Sequence, residues 1–391
     1  MPLPLRSRLS ALLARAPLAA LRDVVDKPTT QRTPIAALDG VRGLAVLIVV
    51  AAHAGGLEML GHGAAGVWLF FCLSAFLLTL PYAHDPASLR RPGEMRRYAA
   101  RRVRRIFPAY LATLALYALV KDWSLEVFAR HLVFLRADGI LWTIPQELLF
   151  YALLPLLALL HPLLFRGRFP ITLLAFAALA TASNLWLDRS VFGLHGNGKI
   201  LPFHLGIFAT GMGFAYASAW PALARLVERP GVNRALGILG LVLLAALCLT
   251  SRHFVAAYAS ALPWLAGLRP NWANHYPGSI GLLCGTIVYL SVACRGRWLG
   301  WAMGSLFLRA LGVVSFSLYL VHYLVRNEIA SQGFPLGNIL FALNLAAAYA
   351  IACVSYGWIE RPLMKTPRRP ASANTAQSED EPISPAPPRS R

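Results

Sequence analysis

The stretch Arg42-Gly43-Leu44-Ala45-Val46-Leu47-Ile48-Val49-Val50-Ala51-Ala52-His53 is an apolar run closed at each end by an ionisable side chain. On a helix of 3.6 residues per turn, the eleven-residue spacing between Arg42 and His53 returns to nearly the same face, so the two side chains look the same way. At a rise of 1.5 Å per residue they stand about 16 Å apart along the axis. One can therefore sit near a membrane surface while the other lies deep within the hydrocarbon layer. Ionisable groups placed there are costly and usually functional.

Working outward, the 391 residues are 57% hydrophobic and only 14% charged, and the mean hydropathy is +0.55. This lies outside the range of a soluble domain and predicts an all-α, polytopic integral membrane protein. Apolar windows fall near residues 36 to 57, 63 to 83, 106 to 120, 145 to 165, 169 to 187, 200 to 220, 235 to 250, 276 to 294, 305 to 325 and 336 to 358. About ten helices around a polar interior cavity are expected, give or take one, because the windows near 106 and 235 are short.

With the N-terminus inside, the inner segments carry 27 lysines and arginines and the outer ones 8, while Arg42 and Arg309 lie within spans. That asymmetry predicts cytoplasmic N- and C-termini in an inner (plasma) membrane. It also accounts for the net charge of +20 through a basic face on anionic lipid, without nucleic acid.

Residues 1–34 are expected to form a cytoplasmic segment in which Leu9, Leu12, Leu13, Leu21 and Val24 make a short amphipathic helix. Residues 35–364 form the membrane domain. Residues 365–391, rich in Pro, Ser, Ala, Glu and Arg, read as a disordered tail. Cys72, Cys248, Cys284, Cys294 and Cys353 make no CxxC pair, so neither a disulfide framework nor a metal site is expected.

Several polar groups recur inside the apolar windows. Arg42 is either a snorkelling anchor paired with Asp39 or a grip for an anion at the inner surface. His53 is either bonded to nearby backbone or a base at the far end of a long substrate. Ser74, in Phe70-Phe71-Cys72-Leu73-Ser74, has no adjacent base and is a poor nucleophile. Arg101 and Arg105 stack four apart with Arg102 beside them, and their repulsion is relieved by lipid phosphate or by the phosphates of a nucleotide-bearing substrate.

Trp142 precedes a helix start at Pro145, after which Glu147 and Tyr151 share a face. An intramembrane carboxylate needs a partner, and His53 is the expected one. Ser315, Tyr319 and His322 form a stripe expected to line the cavity. The other histidines, 62, 84, 131, 161, 195, 204, 253 and 275, read as surface or interface groups.

Over about residues 33 to 364 the chain resembles membrane-bound acyltransferase family 3, bacterial O-acetyltransferases that modify lipopolysaccharide, peptidoglycan, exopolysaccharide and some antibiotics. The resemblance is carried by Leu38-Asp39-Gly40-Val41-Arg42-Gly43-Leu44-Ala45 with His53 at the family's spacing, and by Phe70 to Ser74. It continues in Arg101 and Arg102 through Arg105-Ile106-Phe107-Pro108, Trp142 with Glu147, Ser315 through Tyr319 and His322, and Glu360-Arg361-Pro362. Ala75 stands where the family usually has glycine, and Phe316 where tyrosine is common; neither removes an ionisable group.

The resemblance implies an acyl-CoA donor, normally cytoplasmic acetyl-CoA, with Arg42 and His53 as the most important residues. On this reading Arg42, Arg101, Arg102 and Arg105 hold the nucleotide end, and the pantetheine arm brings the thioester to His53. The imidazole, oriented by Glu147, deprotonates a hydroxyl of a cell-envelope saccharide or glycolipid acceptor. Asp39, Ser74, Trp142, Tyr151, Ser315, Tyr319 and His322 line the cavity. Acceptor specificity is assigned to outer loops 188 to 199 and 251 to 275, with Trp264, Trp272 and Tyr276 as either sugar-stacking surfaces or an interfacial aromatic belt. The alternatives are a multi-span transporter or exporter of an anionic solute and a catalytically silent membrane scaffold.

Overall fold

A computed structural model describes residues 22–24, 34–57, 60–186, 201–262, 277–294 and 298–364. Most of the expected amphipathic N-terminal helix, the tail after 364, the 188 to 199 loop, and Trp264, Trp272 and Tyr276 lie outside the described residues. Among those described, all regular structure is helical and no strand occurs. In hydrocarbon a helix satisfies every backbone N–H and C=O within its own segment, which overrides the weak helix propensity of runs such as Val46 to Val50.

The helices run α1 Pro34–Ala54, α2 Gly63–His84, α3 Glu94–Val120, α4 Leu125–Leu132, α5 Thr143–Leu163, α6 Phe169–Trp186, α7 Leu201–Ala219, α8 Pro221–Val227, α9 Pro230–Ala246, α10 Arg252–Tyr258, α11 Pro277–Ala293, α12 Trp298–Met303, α13 Leu306–Val313, α14 Ser315–Ser331, α15 Asn338–Ser355 and α16 Arg361–Met364. Six described helices are long and apolar enough to cross a membrane, or seven if the bent α13 and α14 count as one span. Phe169–Ser183 within α6 and Ser279–Ala293 within α11 are apolar but shorter.

Helix α1 is the centre of the bundle. It packs against α2, α11, α12, α13, α14 and α15, and 72% of its apolar window is buried, against 17% for Pro230–Thr250 at the periphery. Around it, α7 packs on α2, α6 and α11, and α14 packs on α15. Because lipid tails are as apolar as leucine, such contacts depend on close approach of backbones, which small residues permit. At the α1–α13 crossing, a Cβ on Gly43 would overlap the Leu308 carbonyl, and one on Gly312 would overlap the Asp39 carbonyl.

One expected window is broken and another is extended. The stretch near 305 to 325 is not one helix: α13 and α14 meet at 81°, breaking at Val314, two residues after Gly312, a poor helix propagator. The window near 106 is part of the 27-residue α3, so Arg101, Arg102 and Arg105 are on one continuous helix with the span that follows them.

Candidate active site

The arginines gather where the first turns of α1, the N-terminal half of α3 and residues 356–364, just after α15, converge. Each has a different neighbour. Arg42 Nη1 donates to Asp39 Oδ1 at 2.7 Å. Arg101 Nη2 donates to Glu94 Oε1 at 2.7 Å, two turns back on the same helix. Arg105 pairs with Glu360, a carboxylate only 2% exposed, whose other oxygen accepts from Ser317 Oγ at 2.5 Å. Glu360 ends a π-helical turn, Tyr356–Glu360, which re-aims its side chain toward α3.

Arg102 differs from these three. It makes no ion pair among the described residues, its Nε is buried without a hydrogen-bond partner, and its guanidinium lies 5.8 Å from the Tyr151 ring centroid. Arg42, Arg101, Arg102, Arg104 and Arg105 line a cavity of about 360 Å3 with Asp39 as its one acidic lining residue. Such a basket of planar guanidinium groups suits a multiply charged phosphate ester.

A second cavity, about 140 Å3, shares Arg42, Arg102 and Arg105 with the first and continues between Ser74, Glu147, Tyr151, Ser315 and Tyr319. Glu147 Oε1 accepts from Ser74 Oγ at 2.9 Å and from the Tyr151 hydroxyl one turn along α5. The carboxylate therefore has two hydroxyl donors in place of a cation.

A third cavity, about 450 Å3, shares Tyr319 and Val67 with the second and is lined by His53, His62, Trp142, Arg252, His253 and Tyr323. The three cavities thus follow one another from the arginines to His53, with Tyr319 and Val67 bordering the last step. Tyr319 is held there by its hydroxyl, which donates to the Ile140 carbonyl at 2.9 Å.

The hydrogen bonds of His53 determine which ring nitrogen carries its proton. Nδ1 lies 2.8 Å from the Val49 carbonyl, and a carbonyl only accepts, so Nδ1 is the protonated nitrogen. The same nitrogen lies 3.3 Å from His322 Nε2. His322 in turn holds its Nδ1 2.6 Å from the Tyr319 carbonyl, so its Nε2 presents a lone pair to His53. In the neutral ring, His53 Nε2 then carries the free lone pair. The Tyr323 ring packs edge-on at 5.2 Å, and Arg326 Nε donates to the His53 carbonyl at 3.1 Å.

Residues 35–358 match the model of acyltransferase family 3, described as an acyltransferase domain. The chain belongs to this family. It is also similar to the membrane-bound transacylase BcsY of Komagataeibacter xylinus, 25% identical over 365 residues that cover 83% of this chain and 81% of that protein. No solved structure matches the chain. The protein is a multi-pass membrane acyltransferase, and the family match runs from the start of α1 into the π turn, spanning nearly all the residues that line the three cavities.

Within the acyltransferase, the predicted residues sort differently from their order in sequence. Asp39 is both the ion-pair partner of Arg42 and a wall of the arginine cavity. Ser74, Tyr151 and Ser315 line the middle cavity, Trp142 the histidine cavity, and Tyr319 both. The expected contact of Glu147 with His53 is absent. A 3-10 turn, Gly139–Trp142, contributes to the wall of the histidine cavity just before α5, and Glu147, about a turn further along α5, lines the middle cavity instead. Glu147 meets Ser74, which lies about 16 Å along α2 from Gly63. The place expected for Glu147 is taken by His322, which is fully buried against His53 and lines none of the three cavities.

Other histidines are also reassigned. His131, His161 and His204 are buried: His131 stacks on Trp123, His161 meets Thr172, and His204 packs between Phe71 and Trp142. His62 and His253 line the histidine cavity. Glu360, legible in sequence only as part of a terminal motif, anchors Arg105 from 255 residues away. No local signal marks that contact, because it depends on α15 returning beside α3.

Proposed function

We propose that the protein transfers an acyl group, with acetyl the expected one, from acyl-CoA to a hydroxyl of a cell-envelope saccharide or related glycolipid. The observation that carries this reading is the series of three cavities joining an arginine basket to His53. The nucleotide phosphates of the donor bind at the arginines, with Arg102 as the principal grip because Arg42, Arg101 and Arg105 share their charge with Asp39, Glu94 and Glu360 and Arg104 is exposed. The pantetheine arm passes Glu147 and Tyr319, and the thioester reaches the histidine cavity. There His53 Nε2 takes the proton of the acceptor hydroxyl, whose oxygen bonds to the thioester carbon. The carbon–sulfur bond then breaks, and the departing CoA thiolate receives the proton back from His53. His322 and the Val49 carbonyl act as positioning groups by holding the His53 Nδ1–H, the part that sequence spacing suggests for Glu147.

We read the chain as crossing the inner membrane ten times with both termini in the cytoplasm. The 27 to 8 distribution of basic residues supports this orientation. The count of ten is supported by α6, α7 and α11 beside the helices that meet the full span length. The arginine basket then faces the compartment that holds acyl-CoA.

Incubating the purified protein with acetyl-labelled CoA and an envelope glycan fraction should produce alkali-labile label on the glycan. Label that crosses sealed vesicles without esterifying anything would support the transporter and overturn the enzyme reading. In the same preparation, Arg102→Ala should weaken CoA affinity by about tenfold to a hundredfold, the worth of one or two hydrogen bonds to a charged group. Arg101→Ala, at an exposed arginine already tied to Glu94, should change it by less than about threefold. Equal affinities in the two variants would refute the assignment of Arg102.

A further inference from the structure

His62 sits at the entrance to α2, on the wall of the same cavity as His53, and its ring is held the opposite way round. The Ala64 backbone N–H donates to His62 Nδ1 at 3.2 Å. An N–H only donates, so Nδ1 must offer its lone pair, and the neutral ring carries its proton on Nε2. At His53 the neighbour of Nδ1 is a carbonyl and the result is reversed. One cavity is therefore lined by two imidazoles that their own backbones set as a proton acceptor and a proton donor.

The position of His62 is fixed as well as its tautomer. Its backbone N–H donates to Thr250 Oγ1 at 2.9 Å, and Thr250 in turn donates to the Leu247 carbonyl at 2.6 Å. The backbone that carries the ring is thus latched to the 3-10 turn Leu247–Thr250 that follows α9, at a residue 188 positions away. Burial, with the Arg252 charge adding to it, pulls the imidazole below its ordinary pKa. A ring neutral at physiological pH can donate through Nε2–H without giving up that proton, as a preorganised donor to developing negative charge should.

We infer that His62 is a catalytic residue of this acyltransferase, donating its Nε2–H to the thioester carbonyl oxygen as that oxygen becomes negative; this rests on the reading of His53 as the base. When the acceptor oxygen bonds to the thioester carbon, the carbonyl π pair moves onto oxygen, and the oxyanion accepts a hydrogen bond from His62. Collapse of that oxyanion re-forms the carbonyl and expels the CoA thiolate, which takes the proton that His53 removed. His62 keeps its own proton throughout. The two histidines divide acid and base work because their backbones impose opposite tautomers.

The test compares His62→Leu with His62→Gln, whose side-chain amide can offer an N–H near the same place. His62→Leu should lower kcat by about a hundredfold to a thousandfold, the usual loss for one such donor. The KM for acyl-CoA should stay within about threefold of the parent, and His62→Gln should recover to within about tenfold. A leucine variant that keeps its kcat, or a glutamine variant that falls as far as leucine, overturns the inference.

A second readout needs no turnover. In His53→Ala protein, the infrared carbonyl stretch of bound 13C-acetyl-CoA should lie below that of the free thioester, and His53→Ala with His62→Leu should return it to the free value. An unshifted band in the His53→Ala protein, or one that does not respond to His62→Leu, rejects the role of His62. If His53→Ala itself turns over normally, the underlying assignment of His53 fails, which is a separate and recognisable result.

Discussion

His53→Ala is expected to abolish acyl transfer, lowering kcat by about a hundredfold to ten-thousandfold, the range for loss of a positioned general base. Donor affinity should stay within about threefold, because the arginine basket lies about 16 Å away on the same helix. The yield and thermal midpoint of the detergent-purified protein should also hold. The ring is only partly buried and bonds to Val49 within its own helix and to His322, so its removal leaves no charge stranded. Purified variant that turns over at the parent rate would require another group to take the acceptor's proton. A variant that loses donor affinity instead would place His53 in binding.

Gly312→Val should remove most of the folded protein, through packing alone. The clash is with backbone: a Cβ at this position overlaps the Asp39 carbonyl, which no rotamer change can relieve, so α13 must move off α1. Overpacking that flexible side chains can absorb costs about 1–3 kcal/mol, and here the cost should exceed that. The expected result is a low yield of monodisperse protein and a clearly lower thermal midpoint, with weakened CoA binding in what survives because Gly312 lines the arginine cavity beside Asp39 and Arg42. Gly231→Ala, where an added Cβ meets nothing within 4 Å, is the control and should behave as the parent. A Gly312→Val protein as stable as that control would mean the crossing is looser than described.

The character of α1 is legible in the amino-acid order. A cation and an imidazole eleven residues apart in an apolar run share a face by helical geometry, and the cost of burying them points to function. The stripe Ser315, Tyr319 and His322 is legible for the same reason, and all three are buried. The pair Glu147 and Tyr151, four apart, is likewise bonded as its spacing suggests.

The partner of Glu147 is not legible, because a linear pattern does not say which cavity a residue about one turn into α5 will face. The arginines show a further limit: Arg101, Arg102 and Arg105 look alike in sequence, yet Glu94 and Glu360 pair with the outer two and leave Arg102 without an ion pair among the described residues. His62 reads as a surface group because an N-cap histidine and a surface histidine have the same local signature. The cavity beside His62 exists only once α10 and α14 are in place.

The amino-acid sequence by itself determined a helical membrane protein, its family, and the residues on each helix face that carry chemistry. These follow from local causes: hydrocarbon admits only helices with internally paired backbones, and a 3.6-residue period decides which side chains align. Tertiary packing alone decided which of those groups meet. His53 and His322 are 269 residues apart, Arg105 and Glu360 are 255 apart, and each contact depends on the depth and tilt at which whole helices cross. Those crossings are set by backbone approach at residues such as Gly43 and Gly312, where a single methyl group would not fit.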